Sequence, residues 1–243
     1  MIKDDLSIFD TNKTWYFNWK SESRTSFPSL VGIDIDDKSK EIIEAVASVG
    51  LITDKQLFYF YKVRKKHLDH MRHIKMLVEH QINIANEKGD MDVLTVYTLG
   101  KIGAKILNLP HYKTDYWRSY RKNEVYKRIM FFEFFHRFKK GFEHLDIYPG
   151  ISPFTGAIRY KNSIMEVFIY SDKEDFYNIM NFLRWKNSFN RMIFIASDLK
   201  SFHQLKPHLE DKQVRYLKEA DILNNDKLNG KFHVLKEREF VIE

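Results

Sequence analysis

Between Lys62 and Lys75 the chain carries Lys62, Arg64, Lys65, Lys66, Arg72 and Lys75 with Asp69 as the sole acid, and His67, His70 and His73 recur among them. Residues of these types bind anions: lysine and arginine neutralise phosphates and release counterions, and arginine or histidine can hydrogen-bond base edges. A helix that begins inside such a run adds its own backbone N–H groups and the positive end of its dipole. Lys62, Arg64, Lys65, Lys66, His70, Arg72, His73 and Lys75 are therefore the candidate DNA contacts, with Arg64 and His70, near the helix start, the candidates for base edges. The alternative is a solvated basic face that meets no partner. Metal binding is not expected at the three histidines. A zinc-protease helix needs a four-residue spacing and an adjacent glutamate, and the basic neighbours oppose a cation.

The flanking sequence supplies elements to hold such a helix. Ile42, Ile43, Val46 and Val49 recur at helical spacing over residues 39–49, with Asp37 or Ser39 available as the cap and Gly50 as the stop. Thr53 can cap a short helix whose apolar side holds Leu57, Phe58 and Phe60. The spacing of Leu68, Met71, Ile74, Leu77 and Val78 then predicts a third helix over residues 64–79. Ile82 and Ile84 alternate with polar residues, Gly89 turns the chain, and residues 91–99 return it with Val93, Thr95, Val96 and Tyr97, as in a hairpin. Three helices and a hairpin in this order predict a winged helix-turn-helix. Glu87, Asp90 and Asp92 outnumber Lys88 at the hairpin tip, so the tip is expected to brace the helices rather than dock on phosphates. Gly100, Gly103 and Ala104 open a further helix that can pack closely on the hairpin.

The run VLTVYTLGKIGAKIL (residues 93–107), preceded by HLDHMRHIKMLVEHQ (residues 67–81), resembles the N-terminal winged helix of the replication-relaxation family. In that family paired hydrophobics and Leu-Val-Glu precede a hairpin ending in Tyr-x-Leu-Thr-x-x-Gly-Ala. The resemblance implies a plasmid or mobile-element protein acting in replication initiation, in relaxosome formation beside a relaxase, or in transcription control. It also implies a C-terminal region like a restriction-endonuclease core. Catalytic members of that core place an acid after a proline on one strand and Glu-x-Lys on the next, so that two carboxylates hold a divalent metal and lysine sits near the attacked phosphate. Here Phe154 follows Pro153, and Phe168 stands two residues after Glu166 where lysine is needed. The C-terminal domain is accordingly expected to be non-catalytic, with no metal and no cofactor. Two alternatives stay open: a Mg²⁺-dependent nickase or endonuclease using Glu166 and other acids, and a winged helix that binds protein.

A net charge of +7, from 40 basic and 33 acidic residues, favours an anionic partner, here double-stranded DNA. The 243 residues suffice for two modest cores, and 44% hydrophobic with 30% charged residues is a globular balance. The absence of cysteine excludes disulfides, thiolate zinc sites and cysteine nucleophiles. No apolar run approaches the roughly 20 residues that span a bilayer, and no signal peptide opens the sequence, so a cytoplasmic location away from membranes is expected.

The fold class expected is α+β. Residues 1–37 form an N-terminal arm, 38–109 the winged helix, 110–145 a linker and helix, and 146–243 the α/β domain. Trp15, Tyr16, Phe17 and Trp19 crowd the arm, which is expected to pack on a later domain, the alternative being an exposed binding motif. Tyr112, Tyr116, Trp117 and Tyr120 alternate with Lys113, Arg118, Arg121 and Lys122, a pattern that suits base stacking but suits a packed junction better. The aromatic helix over residues 123–142 predicts burial on more than one side, with Lys127, Arg128, Arg137, Lys139 and Lys140 exposed. Beyond it a hairpin turned at Asn162, a helix over 173–185, a buried strand over 191–196, a helix over 202–209 and strands over 213–217 and 231–235 are expected. Asp34, Asp36 and Asp37 suit helix capping better than a cation, and Ser197 with Asp198 lacks an oxyanion loop. No Gly-rich phosphate loop occurs. A homodimer is expected, since one winged unit covers little DNA.

Overall fold

The computed structural model describes residues 13–22, 35–142, 144–185, 191–209, 212–228, 230–236 and 239–242. Asp34 and most of the N-terminal arm lie outside them. The chain is mixed α+β with two sheets and divides into the units Met1–Val125 and Tyr126–Glu243.

In the first unit, helix α1 (Asp37–Val49) starts at Asp36, whose carboxylate accepts the Ser39 N–H at 2.6 Å. Asp36, rather than Asp37 or Ser39, has the extended backbone a cap requires, and the bonds from Ser39 hold its pKa below the usual range. Gly50, at φ 99°, closes the helix. Strand β2 (Ile52–Thr53) leads into α2 (Asp54–Tyr61), which opens on a reciprocal capping box between Thr53 and Gln56. Leu57 and Tyr61 of α2 are buried, whereas Phe58, expected inward, is exposed beside Tyr59.

Helix α3 (Lys65–His73) is shorter than its apolar spacing predicts. The Lys75 N–H bonds to the Arg72 carbonyl at 3.0 Å and the Met76 N–H to the Met71 carbonyl at 2.9 Å, with Lys75 at φ 61°. These two bonds are the Schellman termination, which reverses the chain and satisfies the last carbonyls. Leu77 and Val78 therefore open strand β3 (Leu77–Ala85) instead of extending the helix. Strand β4 (Met91–Leu99) pairs antiparallel with β3 from Leu77↔Leu99 to Ala85↔Met91. At the turn Asn86 Oδ1 accepts the Lys88 and Asp90 N–H groups at 2.9 Å, and Gly89 takes φ 86°.

The aromatic arm becomes part of this sheet. Strand β1 (Thr14–Asn18) pairs antiparallel with β3, giving the order β1-β3-β4-β2. Behind it the buried His80 accepts the Lys20 N–H on Nδ1 at 3.0 Å and meets Thr98 Oγ1 through Nε2 at 2.8 Å, between the rings of Trp19 and Trp117. Burial lowers the His80 pKa to about 3, so the ring is neutral, with Nδ1 accepting and Nε2 donating. Helix α4 (Lys101–Ile106) has no cap from its own sequence; buried Glu22 accepts the Lys101 N–H at 2.7 Å and the Tyr112 hydroxyl at 3.0 Å. In the 3-10 helix Tyr116–Ser119, Trp117 is fully buried and donates to the Lys20 carbonyl at 3.0 Å, while the Tyr116 hydroxyl donates to the Gly50 carbonyl at 3.0 Å. The aromatics of that segment are thus packing residues.

The division between the units falls within helix α5 (Lys122–Lys139). Phe131, Phe132, Phe134 and Phe135 are all buried, which spans more than one side of the helix as their density predicts. Lys127 and Arg137 are not on an exposed side: Lys127 pairs with Asp175 at 2.8 Å, and Arg137 pairs with Glu133 and donates to the Asn225 carbonyl at 3.0 Å. Strands β5 (Leu145–Pro149), β6 (Gly156–Tyr160) and β7 (Ser163–Ile169) form an antiparallel meander. Helix α6 (Lys173–Trp185) then crosses to β8 (Arg191–Ala196), parallel to β7. A 3-10 helix, Leu199–His208, with Pro207 inside it, replaces the α-helix expected there and leads to β9 (Gln213–Lys218), parallel to β8. Helix α7 (Glu219–Asn224) and strands β10 (His233–Lys236) and β11 (Glu239–Ile242) complete a sheet ordered β11-β10-β9-β8-β7-β6-β5. Its core gathers Phe154, Phe168, Phe182, Phe194, Phe202 and Tyr216. Among the described residues no helix is long and apolar enough to cross a membrane.

Candidate nucleic-acid interface

Met71 is the one buried residue of α3 and fixes which way the helix faces. Asp69 and His73 each lie two residues from it, about 200° round at 3.6 residues per turn, so they sit at the middle of the outward side. Lys65 and Arg72 flank that midline on one edge, Lys66 and His70 on the other, and all six side chains are exposed. Arg64 is the N-cap, with extended backbone and no side-chain cap bond, and the first turn holds no acid. The positive end of the helix is therefore open to an anion between Arg64, Lys65 and Lys66.

The cations of this run divide by what they already hold. Arg72 pairs with Glu79 on β3 and lies 3.5 Å from Asp69, while Glu79 also accepts the Tyr97 hydroxyl at 3.2 Å and Lys20 at 3.5 Å. Arg72 is thus a strut between α3 and the sheet. Lys75 is half-buried; its carbonyl accepts the Ile102 N–H at 3.1 Å, and a side chain on Gly100 would collide with that carbonyl. Lys62, at φ 52°, ends α2, and its carbonyl accepts Lys38 Nζ at 2.8 Å. His67 turns away from His70 and His73 to meet Ser39 Oγ at 3.0 Å and Asp36 at 3.7 Å, so the three histidines share no face. Among the described residues, Arg64, Lys65, Lys66, His70 and His73 carry no ion pair. Residue type alone had missed two members of the surroundings: Glu79, which anchors Arg72, and Asp69, which occupies the midline.

Comparison with family models, curated proteins and solved structures finds no match to this chain.

In the second unit Glu166, on β7, is buried to 3% exposure and accepts the Ile151 N–H, and among the described residues its Oε2 has no partner. Burial pushes its pKa up to about 7, and no charged side chain offsets that shift. Phe154 and Phe168 are both buried in the apolar core. Among the described residues no three His, Cys, Asp or Glu side chains converge on a metal position. A lone carboxylate without a second anion does not fit a divalent ion, whose desolvation needs several oxygen ligands.

Proposed function

We propose that the first unit binds double-stranded DNA by laying α3 in the major groove, with Arg64, Lys65 and Lys66 on phosphates and His70 and His73 toward the bases. The observation that carries this is that these cations and histidines, on one helix and its N-cap, are exposed and carry no ion pair among the described residues, in a unit whose elements run α1-β2-α2-α3-β3-β4. That order is the one a winged helix-turn-helix uses to present its third helix. The hairpin supports α3 through Glu79 and Arg72, while the carboxylates of its tip keep the tip off phosphate. Arg72 belongs to the support rather than to the contact set; Lys62 and Lys75 hold their neighbours through backbone carbonyls alone, and among the described residues their ammonium groups carry no ion pair, so both stay with the phosphate contacts.

The second unit is proposed as an endonuclease-like domain without catalysis, used for association or further DNA contact. The meander β5-β6-β7 followed by the α6 crossover to β8 supports the architecture, and the phenylalanines at 154 and 168 support the loss of chemistry. Action in plasmid replication, relaxosome formation beside a relaxase, or transcription control follows from the resemblance of residues 67–107 alone. A homodimer on a two-fold site is the assembly that gives such a unit high affinity.

Fluorescence anisotropy with a random-sequence duplex tests the reading. Affinity should fall steeply with salt, and alanine at Lys65 and Lys66 together should weaken binding to every sequence and reduce the log-log salt slope by about 1.8. A folded wild-type chain whose binding ignores salt, or a double variant that binds as wild type, refutes it.

A further inference from the structure

The midline of the α3 face holds an acid. Asp69 stands between Lys65 and Arg72 on one edge and Lys66 and His70 on the other, directly opposite buried Met71. If the surface served only to attract phosphate, this is the place where a carboxylate costs most, since Lys65, Lys66, Arg72 and His73 stand three or four residues from it, where Cβ atoms on one helix face are about 5–6 Å apart. Nor is the acid loose. Arg72 holds its Oδ1 at 3.5 Å, Arg72 is itself held by Glu79, and Glu79 is fixed by the Tyr97 hydroxyl and Lys20. A chain of charge-assisted contacts therefore runs from the sheet to Asp69, with Arg72 shared between two carboxylates, so Asp69 keeps acceptor capacity facing outward.

A carboxylate can only accept hydrogen bonds. On the floor of the major groove guanine offers two acceptors, thymine an acceptor and a methyl group, and adenine an amino group beside an acceptor; cytosine offers its N4 amino group. We infer that Asp69 is a specificity-determining residue that accepts from a cytosine N4 amino group in the major groove, with Arg72 and Glu79 as its positioning residues. The inference rests on the DNA-binding reading above. It places Asp69 in the base readout beside its neighbour His70 and His73 one turn on, and makes the acid a device that rejects other bases.

The test is selection from a random duplex library with the full chain at fixed salt, followed by anisotropy on the selected duplex and on versions with one base pair changed. The wild-type site should contain one C·G pair whose replacement weakens binding by about tenfold or more. Asp69→Asn should lose that preference to within about twofold, yet bind random duplex at least as tightly as wild type, because a repulsive charge has gone from the phosphate-facing surface. Asp69→Ala should lose the same preference without gaining an amide donor. Selection of the same site with the same preference by Asp69→Asn overturns the inference while leaving the DNA-binding reading intact. A uniform loss of affinity for all sequences also overturns it, since that result would make Asp69 a brace for Arg72. If the folded wild-type chain binds no duplex at all, the DNA-binding reading fails and this inference falls with it.

Discussion

Replacing Glu166 by glutamine should stabilise the protein at alkaline pH and leave it unchanged in acid. The carboxylate is buried and, among the described residues, accepts the Ile151 N–H alone and leaves Oε2 without a partner, so its charged form is disfavoured in the folded state and its pKa rises from 4.5 to about 7. Below pH 4.5 both folded and unfolded chains hold the proton, and the group contributes no pH dependence. Between 4.5 and 7 the unfolded chain has lost the proton that the folded chain keeps, so stability falls as pH rises. Above 7 both are ionised and the loss is complete. A shift of 2.5 pH units at 1.36 kcal/mol each sets a ceiling of about 3.4 kcal/mol. The cost of burying a polar group in proteins, about 1–3 kcal/mol, sets the expected figure below that ceiling, at about 2 kcal/mol. Glutamine has nearly the shape of the protonated acid and cannot ionise. Urea unfolding at pH 4.5, 6 and 8 should therefore give a glutamine variant equal to wild type at the lowest pH and about 2 kcal/mol more stable at the highest. An equal difference at all three values refutes the burial argument. A variant less stable than wild type at pH 8 would mean that the ionised carboxylate has a cationic partner, which would reopen the metal-dependent nuclease.

Other expectations follow from the same geometry. Gly100→Ala should destabilise the first unit by about 2 kcal/mol in thermal denaturation, because its methyl group would press on the Lys75 backbone carbonyl rather than on a movable side chain. Arg72→Ala should lower the salt slope for DNA less than Lys66→Ala does, since Arg72 already serves Glu79 and Asp69; equal slopes would return Arg72 to the phosphate contacts. Supercoiled plasmid incubated with the protein and Mg²⁺ or Mn²⁺ should remain uncut, and cleavage abolished by Glu166→Ala would overturn the non-catalytic reading. Light scattering on DNA should give the mass of a dimer, and a monomer at high concentration, free and bound, removes that expectation.

The helices and strands that announce themselves by side-chain chemistry were legible. Thr53 with Gln56 marks the start of α2, Gly50 marks the end of α1, and the apolar runs of β8 and α6 give both elements their observed bounds. The end of α3 was not legible, because its left-handed terminating residue is Lys75, where sequence reasoning looks for glycine or asparagine. Lys62 ends α2 in the same disguised way. Strand β1 escaped because five residues pair with a strand more than sixty positions away, a contact that no local period records. The cap of α4 was equally remote, since Glu22 supplies it. At the candidate interface the charge of the run could be read, but its division into struts and open contacts could not. Arg72 is set apart from Lys66 by its contacts with Asp69 and Glu79, and the second of those neighbours is placed by the turn at Lys75.

The coupling between α3 and distant chain follows from those same contacts. Its first turn is held by the His67 contact with Ser39, and its carboxyl end by Arg72 on Glu79 and by the Lys75 turn that lies against Gly100 and Ile102. The last of these depends on α4, α4 on Glu22, and Glu22 on the Tyr112 hydroxyl. A piece cut to residues 38–109 keeps α3 and its charges but removes β1, Glu22, Tyr112 and Trp117. It leaves the Lys101 N–H without its carboxylate and the His80 ring without Lys20 and Trp117. Loss of buried aromatic packing and of hydrogen bonds to a buried carboxylate together is enough to unfold a unit of marginal stability. The positive charge of α3 in such a piece would be unchanged, and its position would not be.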